Sequence, residues 1–255
     1  MMAPIYGMAV VTTFVSVAVW YAAFRVMAER HRRLAWLMVL TLPLSFAVNA
    51  WVKKPLLLAV ARAAGVGPLP GAPFWFLAFV LFLSPVTEEA IKVLPLLAGR
   101  VRAAVGERGT AFWAGLALGA GFGIGEIWFV ARGVARSPEL AGYPFWAYTG
   151  FLTERVIVVY AHAVMTAVLV TAAAAGRAGR GYLAAVGLHA LLNLGALLGG
   201  AGLLDRNLAF FWIVLPIGVL TVLFTRMYRE SLLGSPPRET VVFHRKPPPA
   251  AEEGG

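Results

Sequence analysis

Apolar residues run along this chain in seven stretches of about 20 to 30, each separated from the next by a short cluster of charged, glycine or proline residues. As helices, runs of this length cross a hydrocarbon core of about 30 Å. The pattern predicts spans at approximately residues 4–24, 34–52, 73–98, 110–131, 146–174, 181–203 and 207–225. Between the second and third lies 54–66, apolar but interrupted by Arg62. It is too short to cross alone and reads as an interfacial helix or a re-entrant piece; paired with a neighbour it would raise the count to eight. The fold class is all-α, a polytopic transmembrane helical bundle.

Composition agrees. The chain has 255 residues, 60% hydrophobic and 13% charged, with a mean hydropathy of +0.78. That excludes an ordinary cytosolic globule and equally a disordered chain. The formal charge is +10. In a soluble protein such an excess would suggest nucleic acid, but basic residues collect in the cytoplasmic loops of membrane proteins whatever their function. No nucleic-acid partner is expected; the lipid bilayer is. Cysteine is absent, which excludes disulfides, thiol nucleophiles and thiolate metal sites. No basic segment and small-residue cleavage site mark a signal peptide, so the first run is expected to stay in the membrane.

The basic residues also predict orientation. Alternate loops and the tail carry 14 of the 22 Lys and Arg, and the opposite side carries six: Lys53, Lys54, Arg62, Arg132, Arg136 and Arg206. The positive-inside rule then puts the N-terminus outside and the C-terminus in the cytoplasm. Residues 1–232 read as one membrane domain, and the Pro-rich, charged segment 233–255 as a disordered cytoplasmic tail. No internal repeat stands out.

Ionisable groups inside the bilayer cost roughly 2.5–3.5 kcal/mol each at a helix centre and mark function. Four of the twelve acids lie within spans: Glu88, Glu89, Glu126 and Glu154. Glu88 and Glu89 are adjacent, and Lys92 follows them by four and three residues, so it can neutralise either on one helix face. Glycines 115, 119 and 123 recur every four residues before Glu126, a spacing that lets another helix approach closely. They do not form a nucleotide loop, since neither a preceding strand nor a Gly-Lys-Ser/Thr ending is present. In the fifth span Glu154-Arg155 precedes His162, seven residues after Arg155 and nearly on the same face. In the sixth, His189 and Asn193 stand one turn apart.

Counted from the cytoplasmic ends of their spans at about 1.5 Å per residue, Glu88, His162 and His189 all lie roughly 12–18 Å deep. Glu126 and Glu154 lie further from the cytoplasm. Acids and histidines from separate helices therefore converge on one intramembrane pocket. A glutamate and a histidine can activate water for attack on a carbonyl, and an Asn amide can stabilise the oxyanion. Alternatively, a Glu and two His (Glu89, His162, His189) supply a three-ligand zinc site with an open position for water. Both routes lead to hydrolysis, and the sequence leaves the choice between zinc and a metal-free mechanism open.

Glu88-Glu89-x-x-Lys92, a glycine run ending in Glu126, His162, and His189-x-x-x-Asn193 together resemble the superfamily of CAAX-prenyl endopeptidases and bacteriocin-processing (Abi) proteins. The Lys after the Glu pair, the glycine run and Thr153-Glu154-Arg155 before His162 look more like its PrsW and YhfC branches. The resemblance covers residues 79–199. It implies a helical intramembrane protease in which Glu88 and Glu89 activate water or bind metal. His162 and His189 would bind metal or act as acid–base groups, and Asn193 would polarise the scissile carbonyl. Lys92, Glu126, Glu154 and Arg155 would support them. The implied substrate is a membrane-anchored protein or peptide. The expected location is the plasma membrane of a bacterium or archaeon.

Two other readings compete. Chains of membrane Glu and His also mark ion- or proton-coupled transporters, although the lack of repeats speaks against one. A non-catalytic protein of the same fold, acting in immunity or signalling, would carry the same motifs.

Overall fold

The computed structural model describes residues 3–105 and 108–233; the expected tail lies outside them from residue 234 onward. Every regular element among the described residues is helical. Among the described residues, seven helical runs are long and apolar enough to cross a membrane: Pro4–Arg25, Arg33–Ala63, Phe74–Leu97, Thr110–Ala135, Phe145–Ala174, Ala178–Gly200 and Asn207–Leu232. They match the seven expected spans to within a few residues, except at the end of the second and at the end of the seventh, which runs on to Leu232. With Phe14, Val19 and Val222 exposed along their lengths, these helices define an integral membrane protein whose outer faces suit a bilayer.

The second span corrects one expectation. The segment from Lys54 is neither a separate interfacial helix nor a re-entrant piece, and the count stays at seven. An α-helix over Leu37–Ala47 passes through a π-helical turn, Val48–Lys53, straight into another α-helix, Lys54–Ala63. Pro55 does not stop it, because proline is tolerated in the first turn after such a junction. None of Lys54–Ala63 is buried, so this end extends beyond the packed bundle.

The fourth span is the hub. Its residues from Ala111 to Gly125 are buried without exception. Gly115, Gly119 and Gly123 face the fifth span, as their spacing predicts. A Cβ at Gly115 would stand 2.5 Å from the Cα of Ala167, one at Gly123 would stand 2.8 Å from the Cα of Val159, and one at Gly119 would overlap the carbonyl oxygen of His162. A second glycine face is directed at the second span, where side chains at Gly121 and Gly125 would overlap the carbonyl oxygens of Met38 and Leu42. There Thr41 Oγ1 donates to the Leu118 carbonyl at 2.7 Å. Close backbone approach of this kind replaces the hydrophobic driving force that lipid removes between membrane helices.

The remaining spans pack around this hub. Phe24 of the first sets its ring edge-on to Trp113 at 5.6 Å, and Phe224 of the seventh lies 5.8 Å from Phe112. Tyr182 ties the sixth span to the third by donating to the Val86 carbonyl at 2.8 Å. The seventh span is broken at Trp212-Ile213, between Arg206–Phe211 and Val214–Leu233. Trp212 covers Gly195 and donates its indole N–H to the Leu191 carbonyl at 2.7 Å.

Replacing Gly119 with leucine is expected to lower unfolding stability in detergent by about 1–3 kcal/mol or more, since backbone must move to admit it. Gly133→Ala, on the same span but facing open space, is expected to leave stability essentially unchanged. Thermal unfolding of the two variants against the parent checks the pair.

Candidate functional site

Adjacent residues on a helix point about 100° apart, and this divides the Glu pair. Glu88 and Glu89 are both fully buried, together with Lys92. Glu89 Oε1 accepts from Lys92 Nζ at 2.5 Å and from His189 Nδ1 at 2.8 Å. Glu88 turns the other way, and its Oε1 accepts from Lys53 Nζ at 2.6 Å. Lys92 therefore serves Glu89 alone. The cation for Glu88 comes from the π-helical turn of the second span.

Lys92 also reaches the fifth span, with Nζ 2.8 Å from His162 Nδ1 and 4.9 Å from the Phe122 ring centroid. An ammonium can only donate, so His162 Nδ1 accepts and its proton sits on Nε2. That nitrogen faces Glu126 Oε2 at 3.1 Å. Arg155 donates to the same oxygen at 3.2 Å and pairs with Glu154 through a 3.1 Å bond from Nε. The four acids thus alternate with three cations: Glu88 with Lys53, Glu89 with Lys92, and Glu126 and Glu154 with Arg155. Charge pairing of this kind is what makes carboxylates tolerable away from water.

His189 has the opposite tautomer from His162. Its Nδ1 faces the Glu89 carboxylate, which accepts only, so the proton is on Nδ1 and the Nε2 lone pair is free. Nε2 stands 3.9 Å from Glu88 Oε2. That oxygen is buried and has no hydrogen-bond partner among the described residues. The two imidazoles meet edge to face, with centroids 5.2 Å apart.

Seven of the nine residues singled out in the sequence line one cavity of about 610 Å³: Glu88, Glu126, Glu154, Arg155, His162, His189 and Asn193. Glu89 and Lys92 stand behind its wall and hold His189 and His162. Ile157, Leu192 and Phe210 give the cavity an apolar side, and Thr149 and Gly150 line it at the start of the fifth span. Asn193 makes no hydrogen bond to another described residue and is free to donate into the cavity.

Lys53 was missed by sequence reasoning, which counted it among loop charges. Its only signal was position, at the end of a span and next to a second lysine. Phe122, stacked edge-on to His162 at 5.4 Å, read only as another apolar residue in a glycine-rich run.

Among the described residues, one buried group has the spacing of a metal site: Glu88, His162 and His189, with ligand atoms all within 4.8 Å of one another. Glu89 does not belong to it, contrary to the ligand set expected from sequence: it stands behind the cavity wall, with its Oε1 turned to Lys92 and His189. It holds the far nitrogen of His189 instead, the usual second partner of a metal-binding histidine. Glu88 Oε2 and His189 Nε2 suit a divalent ion as they stand. His162 suits one only after losing its Nε2 proton, since Lys92 holds Nδ1.

Fold and site together define a polytopic helical membrane protein with a buried, charge-compensated Glu/His centre. No family model, curated protein or solved structure matches the chain.

Lys92→Met leaves the Glu89 carboxylate in the interior without its cation, held by His189 alone, and a loss of about 3–5 kcal/mol of stability is expected. Adding Glu89→Gln to that variant should recover part of it. Unfolding of the two single variants and the double variant measures the coupling; strict additivity would show that the pair does not interact.

Proposed function

We propose that this protein is an intramembrane endopeptidase that hydrolyses a peptide bond of a membrane-anchored protein. The observation that carries this reading is the unpartnered, buried Glu88 Oε2 standing 3.9 Å from the free Nε2 of His189 on the wall of the cavity. That separation is too long for a hydrogen bond, and a water bound to both atoms fits it. His189 Nε2 takes a proton from the water as its oxygen attacks the scissile carbonyl carbon. Glu89 at Nδ1 stabilises the imidazolium that forms. Asn193 donates its amide N–H to the oxyanion. The C–N bond then breaks, and the proton on His189 passes to the leaving nitrogen.

The resemblance to the CAAX-prenyl endopeptidase and bacteriocin-processing superfamily, in its PrsW and YhfC branches, supports the same reading and a bacterial or archaeal plasma membrane. Zinc bound by Glu88, His189 and a deprotonated His162 would act as a Lewis acid toward water and carbonyl. In either case Glu89 orients His189, and Lys53 holds Glu88 through its other oxygen. The cavity reaches the start of the fifth span, the end that the count of basic residues places outside. Substrate would therefore enter from the outer half of the membrane.

One observation favours a second reading, a proton relay. Glu154, Arg155, Glu126, His162, Lys92, Glu89 and His189 form an unbroken chain of contacts. Proton flux in proteoliposomes that depends on Glu126 and Glu154 would support it over hydrolysis.

Purified protein reconstituted with a membrane-anchored candidate substrate tests the proposal. Glu88→Gln and His189→Ala are expected to abolish cleavage while the protein stays folded, and Asn193→Ala to slow it by about 10²–10³-fold. Cleavage retained in both His162→Ala and His189→Ala overturns the assignment. Zinc content separates the two ligand sets. Glu88→Gln should lose any zinc that the parent holds, whereas Glu89→Gln should weaken its affinity by about 10–100-fold.

Access is tested in the cysteine-free chain itself. A membrane-impermeant maleimide added to intact cells is expected to label Thr153→Cys, beside the cavity, and not Arg177→Cys, in the turn between the fifth and sixth spans. The reverse pattern would invert the orientation.

A further inference from the structure

Six basic residues stand at the span ends where basic residues are scarce. Lys53 is accounted for by Glu88. Three others, Lys54, Arg132 and Arg136, line a single groove of about 630 Å³ between the second and fourth spans, separate from the Glu/His cavity. No carboxylate lines this groove, and none of the three cations has an ion pair among the described residues. Arg132 instead lies against the ring of Phe46, 5.3 Å from its centroid. Arg132 and Arg136 are one turn apart, a spacing at which like charges repel.

The rest of the groove is apolar. Phe46, Phe129 and Leu140 line it with Trp51, which is 74% exposed. Gly133 leaves it open, since a Cβ there would meet nothing within 4 Å. Unpaired cations beside an aromatic wall at the end of a membrane span match a molecule with an anionic head and an apolar tail. A small soluble anion would use the cations but not the wall. A zwitterionic lipid would bring a further cation to a site that already has three.

We propose that this groove holds one anionic phospholipid, its phosphate on Lys54, Arg132 and Arg136 and an acyl chain along Phe46, Trp51 and Phe129. The site belongs to the bundle itself and does not depend on the protease reading. The lipid would brace the junction of the second span next to Lys53.

Native mass spectrometry of the full chain, released from micelles containing equal amounts of phosphatidylglycerol and phosphatidylcholine, tests the proposal. One phosphatidylglycerol is expected to be retained in preference. The preference should fall by roughly fivefold for each cation removed in Lys54→Gln, Arg132→Gln and Arg136→Gln. Arg136→Gln alone, at an exposed position just past the helix, covers the case of a misfolded triple variant. Gly133→Trp keeps all three charges but fills the groove, and should lose the retained lipid. Equal retention of both lipids by the parent overturns the proposal, as does a preference that survives the triple variant. So does a preference unaffected by Gly133→Trp, which would mean diffuse surface charge. Displacement of the lipid by an equal concentration of inorganic phosphate would identify a free-phosphate site and also overturns it.

Discussion

At Gly119 the backbone of His162 leaves no room for a side chain, and the rest of the site depends on that approach. It fixes the fifth span against the fourth at the level where His162 must meet Glu126 from one side and Lys92 from the other. The same helix presents Gly121 and Gly125 to the second span, whose π-helical turn delivers Lys53 to Glu88. Two glycine faces on one buried helix therefore set the positions of two of the cations and one of the histidines. In water, burial of apolar surface would hold such helices together. In lipid, backbone contact takes over that role, and the site inherits the precision of backbone geometry.

Charge compensation is the second constraint and follows from the first. Four carboxylates and three cations alternate in and behind the cavity wall, so none of the four carboxylates is left without a basic neighbour. This arrangement costs desolvation for every member but Glu154, which is half-exposed. A bundle needing only to be stable would fill the space with leucine. Among the described residues, Glu88 Oε2 and Glu89 Oε2 are the carboxylate oxygens left buried without partners, and of the two residues Glu88 lines the cavity.

The spans were legible because the bilayer imposes one length and one polarity on them, which seven apolar runs satisfy visibly. The acids were legible for the converse reason: a glutamate in a run of leucine and valine is conspicuous. What escaped notice was direction. Glu88 and Glu89 are neighbours, and spacing to Lys92 alone could not say which carboxylate it would neutralise. Lys53 read as a loop charge because a π-helical turn leaves no mark in composition, and one extra residue in a turn changes which side chain faces inward. The spacing of Gly115, Gly119 and Gly123 was plain, whereas Gly121 and Gly125 became a second packing face only once the second span was in place.

The two histidines show why residue type alone did not assign roles. In sequence they are equivalent, each a lone imidazole in the middle of a span. In the bundle one is held by a donor and the other by an acceptor. Lys92 at Nδ1 of His162 forces the proton onto Nε2, toward Glu126; Glu89 at Nδ1 of His189 forces it onto Nδ1 and frees Nε2. The same Glu89–Lys92 pair, through one oxygen and one nitrogen, thus sets both tautomers in opposite senses. His189 is left with a lone pair beside Glu88, and His162 with an N–H directed at Glu126. The two rings, 5.2 Å apart between centres on facing helices, therefore differ in role by their neighbours alone.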